Sequence, residues 1–250
     1  MIIALDQGTT GTTAILMNEK AQLIERFSLK TPIRFPKPGW VEQDPEEIRR
    51  CAESAISGLL KKSNLSPKKV LALAITNQRE TVSLFEGQKA LYPFIVWQDR
   101  RSSKICESHK KQAALIHRKT STPIDPYFSS TKIEWILKNN KISKKNKNIR
   151  FRTIDSFLLH SFSGEDVIEI SNASRTQLLG IKSLKWDTDL FEIFDIPRSF
   201  APQIIASECS LKTKGMRSLP DGIPICAVLG DQQAALFGQL GFQKNHGKIT

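Results

Sequence analysis

The chain has 250 residues, 40% of them hydrophobic, with a formal net charge of +12 and four cysteines. That is enough apolar content for one large domain or two small ones with a proper core, and no run reaches the length of a membrane span. Cys51, Cys106, Cys209 and Cys226 are widely spaced, with no CxxC and no paired histidine, which argues against zinc and a disulfide framework and fits a reducing cytosol.

The first six residues contain no basic stretch and meet a charge at Asp6, so they read as a first strand rather than a signal peptide. Residues 2–5, 13–17 and 23–29 read as three short strands around turns, a meander. Residues 31–44 hold three Pro and one Gly and form a loop. Asp44-Pro45-Glu46-Glu47 is a helix start, with Asp44 as N-cap, Pro45 at the first helical position and Glu47 as reciprocal cap. Apolar residues at Ile48, Cys51, Ala52, Ala55, Ile56, Leu59 and Leu60 continue at helical spacing. Residues 70–75 and 223–229 read as buried strands, and residues 133–137 and 157–162 as further helices. Three early strands followed by alternating helix and strand imply an α/β domain with a mixed central sheet flanked by helices. The excess positive charge is dispersed. Its densest part, residues 138–152, reads as a solvated loop or helix edge with no nucleic-acid signature, so neither nucleic acid nor a membrane is expected as a partner.

Polar segments stand at the ends of the buried strands. Asp231 follows the strand at 223–229 directly after Gly230, with Gln232 and Gln233 beside it. Such an Asp either N-caps the next helix or is a fixed carboxylate aimed at a small polar substrate. Residues 76–81, Thr-Asn-Gln-Arg-Glu-Thr, are where an open α/β sheet places ligand contacts. Arg79 and Glu80 there suit a small polyol, or form an adjacent ion pair in a solvated turn. Asp6-Gln7-Gly8-Thr9-Thr10-Gly11-Thr12-Thr13 lies between two strands. It can line a phosphate with its hydroxyls and turn amides while Asp6 holds a hydrated Mg²⁺, or it is an ordinary Gly-rich hairpin. It matches neither the Walker loop nor the dinucleotide fingerprint. Trp97 can lie against a carbon skeleton or pack in the core, and Tyr127 can donate to a ligand or cap a core. Residues 171–176, Ser-Asn-Ala-Ser-Arg-Thr, read as a structural turn.

Together DQGTT at 6–10, PGWVEQDP at 38–45, ITNQRET at 75–81, IVWQDRR at 95–101, IDPYFSSTK at 124–132, SNASRT at 171–176 and GDQQAALFGQL at 230–240 resemble the FGGY carbohydrate kinases, specifically their glycerol kinases. The motifs stand in family order and span nearly the whole chain. The resemblance implies an actin-like, ribonuclease-H-like ATPase fold and phosphoryl transfer from ATP to glycerol, giving glycerol 3-phosphate. Asp231 would be the general base. Arg79, Glu80, Tyr127 and Gln232 would hydrogen-bond the glycerol hydroxyls, and Trp97 would flank the carbon chain. Asp6 would act near Mg²⁺, and Gly8, Thr9 and Thr10 would touch ATP phosphates. Thr13 also falls in the nucleotide region, where glycerol kinases commonly carry an Arg, and the loss of that donor should weaken nucleotide binding. Glycerol kinases are about twice this length. The resemblance therefore implies that residues 1–250 are the glycerol-binding N-terminal domain, that the nucleotide-binding C-terminal domain is absent from this chain, and that activity alone is doubtful. It further implies a cytoplasmic enzyme that is homo-oligomeric at full length. The alternatives are another FGGY kinase acting on a different polyol or ketose, and a non-catalytic chain that binds a polyol or a partner protein.

Overall fold

A computed structural model describes residues 1–243, 247 and 248. The chain opens with the antiparallel meander β1 (Ile2–Gln7), β2 (Gly11–Met17) and β3 (Leu23–Lys30). The short β4 (Glu42–Gln43) leads into α1 (Pro45–Lys62), which is followed by β5 (Ala72–Asn77). Next come β6 (Val82–Glu86), β7 (Lys89–Ala90) and β8 (Phe94–Ile95), then α2 (Ser103–Ser108), α3 (Ala113–Thr120) and α4 (Ser129–Asn139). β9 (Ile149–Thr153) runs straight into α5 (Ile154–Ser163). The remainder is β10 (Val167–Glu169), α6 (Ile170–Ala173), β11 (Leu179–Gly180), β12 (Lys185–Trp186), α7 (Thr188–Ile193), β13 (Gln203–Ile205), β14 (Glu208–Lys212), β15 (Pro224–Gly230) and α8 (Asp231–Gly238).

The main sheet has the order β14-β15-β5-β1-β2-β3. β1, β5 and β15 are mutually parallel and the outer pairs antiparallel, so the sheet is mixed, as the element order implies. Side chains alternate along each strand. Ile3, Leu5, Ala14, Leu16, Leu73, Ile75, Ile225 and Val228 all point to one face and are buried with α1 and α5. α1 answers with Ile48, Ala52, Ala55, Ile56 and Leu59, the periodicity seen in the sequence. Each Ile, Leu or Val among them contributes roughly 1.5–3 kcal/mol by leaving water, and each Ala less. Asp44 caps α1 as expected, accepting from Glu46 N and Glu47 N at 2.9 and 3.4 Å. Glu47 is not the reciprocal cap. Its carboxylate goes to Arg34 instead, at 3.2 Å.

A second sheet, β4-β8-β6-β7 with β9 on β6, builds a second core with α4, α7 and the β10–β13 pair. These strands have two to five residues each, and most are too short to show a period. β9 is the exception and corrects the sequence reading: Ile149-Arg150-Phe151-Arg152, at the end of the stretch 138–152 read as a solvated loop or helix edge, alternates and pairs with β6, and Arg152 is buried. Arg101 pins the loop after β8. Its guanidinium lies 3.9 Å from the Trp40 ring centre and pairs with buried Asp99 and with Glu42, each at 2.7 Å. All four cysteines are free thiols. Among the described residues no helix is long and apolar enough to cross a membrane.

Candidate active site

The parallel run β1-β5-β15 brings three chain segments to one edge. Asp6 is in register with Thr76, and Asn77 with Gly230, so the C-terminal ends of the three strands lie side by side. Asp6 stands open to solvent, yet the protein around it, and then the negative charge of Asp231, raise its carboxyl above the ordinary aspartate range. Thr13 is its cross-strand partner, and the Thr13 hydroxyl bonds Ser28 Oγ at 2.9 Å. Thr76 Oγ1 is buried in this region without a hydrogen-bond partner.

Asp231 is not an N-cap. Gly230 occupies the cap of α8 and Asp231 is the first helical residue. Its Oδ1 accepts from Arg79 Nε at 3.1 Å and from Gln232 N at 2.7 Å, and the side chain remains 43% exposed. Gln232 in turn accepts from Lys248 Nζ at 3.0 Å.

Arg79 and Glu80 do not pair with each other. Glu80 has φ 61°, and Thr81 N donates to Arg79 O at 2.7 Å, a strained γ-turn that throws the two side chains apart. Arg79 reaches Asp231 and Gln233. The Glu80 carboxylate, almost fully buried, accepts from Arg175 Nε at 2.5 Å. Burial pushes the Glu80 carboxyl up, against the pull of Arg79, Arg175 and Lys132. The Arg175 guanidinium also lies over the rings of Phe128 and Tyr127, at 4.9 and 5.7 Å.

Trp97 and Tyr127 meet edge to face, 5.6 Å between ring centres. Burial raises the Tyr127 hydroxyl above its ordinary value and so keeps it a donor. Trp97 Nε1 donates to Thr9 Oγ1 at 2.8 Å, and the Thr9 hydroxyl donates to Gln78 Oε1 at 3.2 Å. The side chain of Thr9, expected at the phosphates, is thus engaged in seating Trp97. Gly8 N turns back to Gly11 O, and Thr10 is exposed at the turn.

The segment read as a structural turn proves to hold the site together. Ser171 Oγ accepts from Gly230 N at 3.0 Å and donates to buried Glu169 at 2.6 Å. Asn172 accepts from Asn77 Nδ2 at 2.9 Å, and Arg175 takes Glu80. One six-residue stretch therefore braces two strand ends and the γ-turn. Its run of polar side chains and its place among the family-like motifs were the signs of this in the sequence.

One edge thus carries carboxylates, two guanidiniums, a phenol and an indole in two sets of contacts, Asp231–Arg79 and Glu80–Arg175–Tyr127–Trp97, that adjoin at the γ-turn, the donor and acceptor set for a small hydroxylated molecule. Among the described residues no three His, Cys, Asp or Glu side chains converge for a metal. The Asp6 carboxyl, raised in part by the charge of Asp231, stands near enough to that second carboxylate for the two to fit an ion that keeps its waters.

Residues 1–238 match the FGGY family of carbohydrate kinases, N-terminal domain. The whole chain aligns at 42% identity with glycerol kinase 1 of Thermotoga maritima and at 42% with the glycerol kinase of Bdellovibrio bacteriovorus, covering 52% of each. The chain therefore spans about half the length of these relatives. The crystal structure of Plasmodium falciparum glycerol kinase with ADP superposes with a TM-score of 0.91 at 30% identity, over 98% of this chain and 52% of that one. A xylulose kinase from Lactobacillus acidophilus, at 23% identity and a TM-score of 0.85, shares the fold, over 95% of this chain and 49% of its own. The fold is the actin-like ATPase fold of these kinases. With the family model covering nearly all of it, the chain belongs to the FGGY family of carbohydrate kinases and carries its N-terminal domain.

Proposed function

We propose that residues 1–250 form the glycerol-binding domain of an ATP:glycerol phosphotransferase. The observation that carries this is the gathering of Arg79, Glu80, Trp97, Tyr127 and Asp231 at one sheet edge, in two sets of contacts that adjoin at the γ-turn. That the aligned relatives are glycerol kinases supports glycerol over other polyols and ketoses. Glu80 and Arg79 hold hydroxyls with fixed acceptors and donors, Tyr127 donates, Gln232 assists, and the Trp97 indole lies against the carbon chain. Asp231 takes the proton from the terminal hydroxyl. That oxygen forms its bond to the γ-phosphorus of ATP as the bond to the bridging oxygen breaks, and ADP leaves with the electron pair. Arg79 beside Asp231 sets the carboxylate's direction. The chemistry needs positioning and charge neutralisation more than covalent help.

Asp6 would hold a hydrated Mg²⁺, with Asp231 nearby. When bound, that ion neutralises charge on the phosphates. Gly8 and Thr10 offer the phosphate turn, and Thr9 supports it from behind. The nucleotide-binding half lies outside these residues, and we place the enzyme in the cytoplasm.

Titration of the ¹⁵N-labelled chain with glycerol tests this reading. The Trp97 indole and the Arg79 and Glu80 amides should shift together. Shifts confined to residues remote from this edge overturn it. A parallel titration with ketoses separates glycerol from the other substrates of the family.

A further inference from the structure

Lys132 is fully buried on α4, and none of the roles above uses it. Its Nζ donates to Tyr127 O at 2.5 Å and to Glu80 O at 3.3 Å. Both partners are backbone carbonyls and neither is a carboxylate. The Glu80 carbonyl also accepts from Ser129 Oγ at 3.0 Å, one helical turn before Lys132. Glu80 is the centre of the strained γ-turn, with φ 61°. A residue in that conformation persists only where its surroundings over-determine it, and two donors from α4 on one carbonyl do so.

A lysine in such a place is costly unless something compensates. Burial lowers its pKa from 10.5 to about 7, against the pull of Glu80, Asp99, Asp125 and Cys106. The neutral amine still has two N–H protons, one for each carbonyl. An apolar side chain of equal length would pack as well and would cut both ties.

We propose that Lys132 is a positioning residue that sets the spacing of Glu80 and Tyr127 by bridging their backbone carbonyls from α4. On the reading given above, those two residues contact the polyol. Lys132 touches no substrate and acts through them.

The test uses the 250-residue chain. Glu80-Thr81 and Tyr127-Phe128 each occur once in the sequence. Carbonyl ¹³C in Glu with ¹⁵N in Thr, and in Tyr with ¹⁵N in Phe, therefore reports each carbonyl alone. In Lys132→Met both carbonyl signals should move, and glycerol affinity, followed at the Trp97 indole, should fall by about tenfold. Ile136→Val loosens the same helix without touching either carbonyl, and it should leave affinity unchanged. Carbonyl signals that stay in place in Lys132→Met overturn the proposal. So does a loss of affinity in Ile136→Val equal to that in Lys132→Met. If Lys132→Met does not fold, Lys132→Gln is read by the same signals, with smaller shifts expected and unmoved ones again overturning the proposal. A wild-type chain whose Trp97 ignores glycerol, while Lys132→Met still moves both carbonyls, supports the tie and removes the polyol reading instead.

Discussion

Gly230 and Arg79 fit together only because one of them has no side chain. A Cβ built on Gly230 would lie 2.5 Å from Arg79 Cδ and 2.8 Å from its Cγ. The backbone of Gly230, at φ −59° and ψ 148°, is one alanine adopts freely, so the constraint is contact and not conformation. Gly230→Ala should push Arg79 off Asp231. The pair is partly exposed, at 11% and 43%, so the stability cost from its loss should stay within about 1 kcal/mol. Glycerol affinity should fall by roughly tenfold, one misplaced guanidinium hydrogen bond. Calorimetry with and without glycerol separates the two effects.

On the proposed reading, in which nucleotide binding and closure belong to a part of the kinase outside residues 1–250, these residues alone should turn over far below the roughly one to a hundred per second of kinases. A coupled assay of ADP release at saturating glycerol checks this, and turnover in that range would make a second domain dispensable. In any preparation that does turn over, Asp231→Asn should lower the rate by roughly a hundredfold or more, because the amide cannot accept the proton. Its melting temperature and glycerol affinity should change far less. An unchanged rate returns Asp231 to a structural role.

Arg175→Leu should leave the Glu80 carboxylate buried without its closest partner. Loss of one member of such a pair costs about 2–3 kcal/mol here, because Arg175 itself is 26% exposed. Urea unfolding measures it. Lowering the pH should recover part of the loss, since a protonated Glu80 no longer needs the guanidinium.

Stability should show a minimum near neutral pH, made by two groups of opposite sign. Asp155 is fully buried, and its burial raises its pKa from 3.8 to about 7. Between those values the folded chain holds a proton that the unfolded chain has released. Stability therefore falls as pH rises through that window, by up to about 4 kcal/mol. Lys132 is lowered from 10.5 to about 7. Between those values the unfolded chain holds the extra proton, so stability rises with pH. Urea unfolding at about pH 5, 7 and 9 should give the minimum. Asp155→Asn should flatten its acid side and Lys132→Met its alkaline side.

Much of the main sheet was readable because its strands alternate and α1 repeats at helical spacing. Residues 70–75 and 223–229 were read as strands, and β5 and β15 sit one or two positions further on. The second sheet was missed: two-residue strands such as β4, β7 and β8 have no period to read, and the alternation of β9 was hidden at the end of a basic run. Polar clusters at strand ends pointed to Arg79, Glu80, Trp97, Tyr127 and Asp231, and the structure gathers them. Arg175 and Asn172 were passed over because the groups that define them, Glu80 and Asn77, lie 95 positions away. Thr9 was given to the phosphates because no local pattern shows an indole 88 positions away donating to its hydroxyl.

The sheet order also sets the timing of synthesis. β5 receives its second parallel neighbour only from β15, and Arg79 and Asp231 are 152 positions apart. A ribosome adding about 5–20 residues per second takes many seconds to cover that distance. Throughout, β5 presents an unpaired apolar edge, the kind of surface that recruits stray strands. Chaperone dependence should therefore be greatest in nascent chains ending between β5 and β15, and the polar edge should take shape only after β15 and Asp231 have emerged.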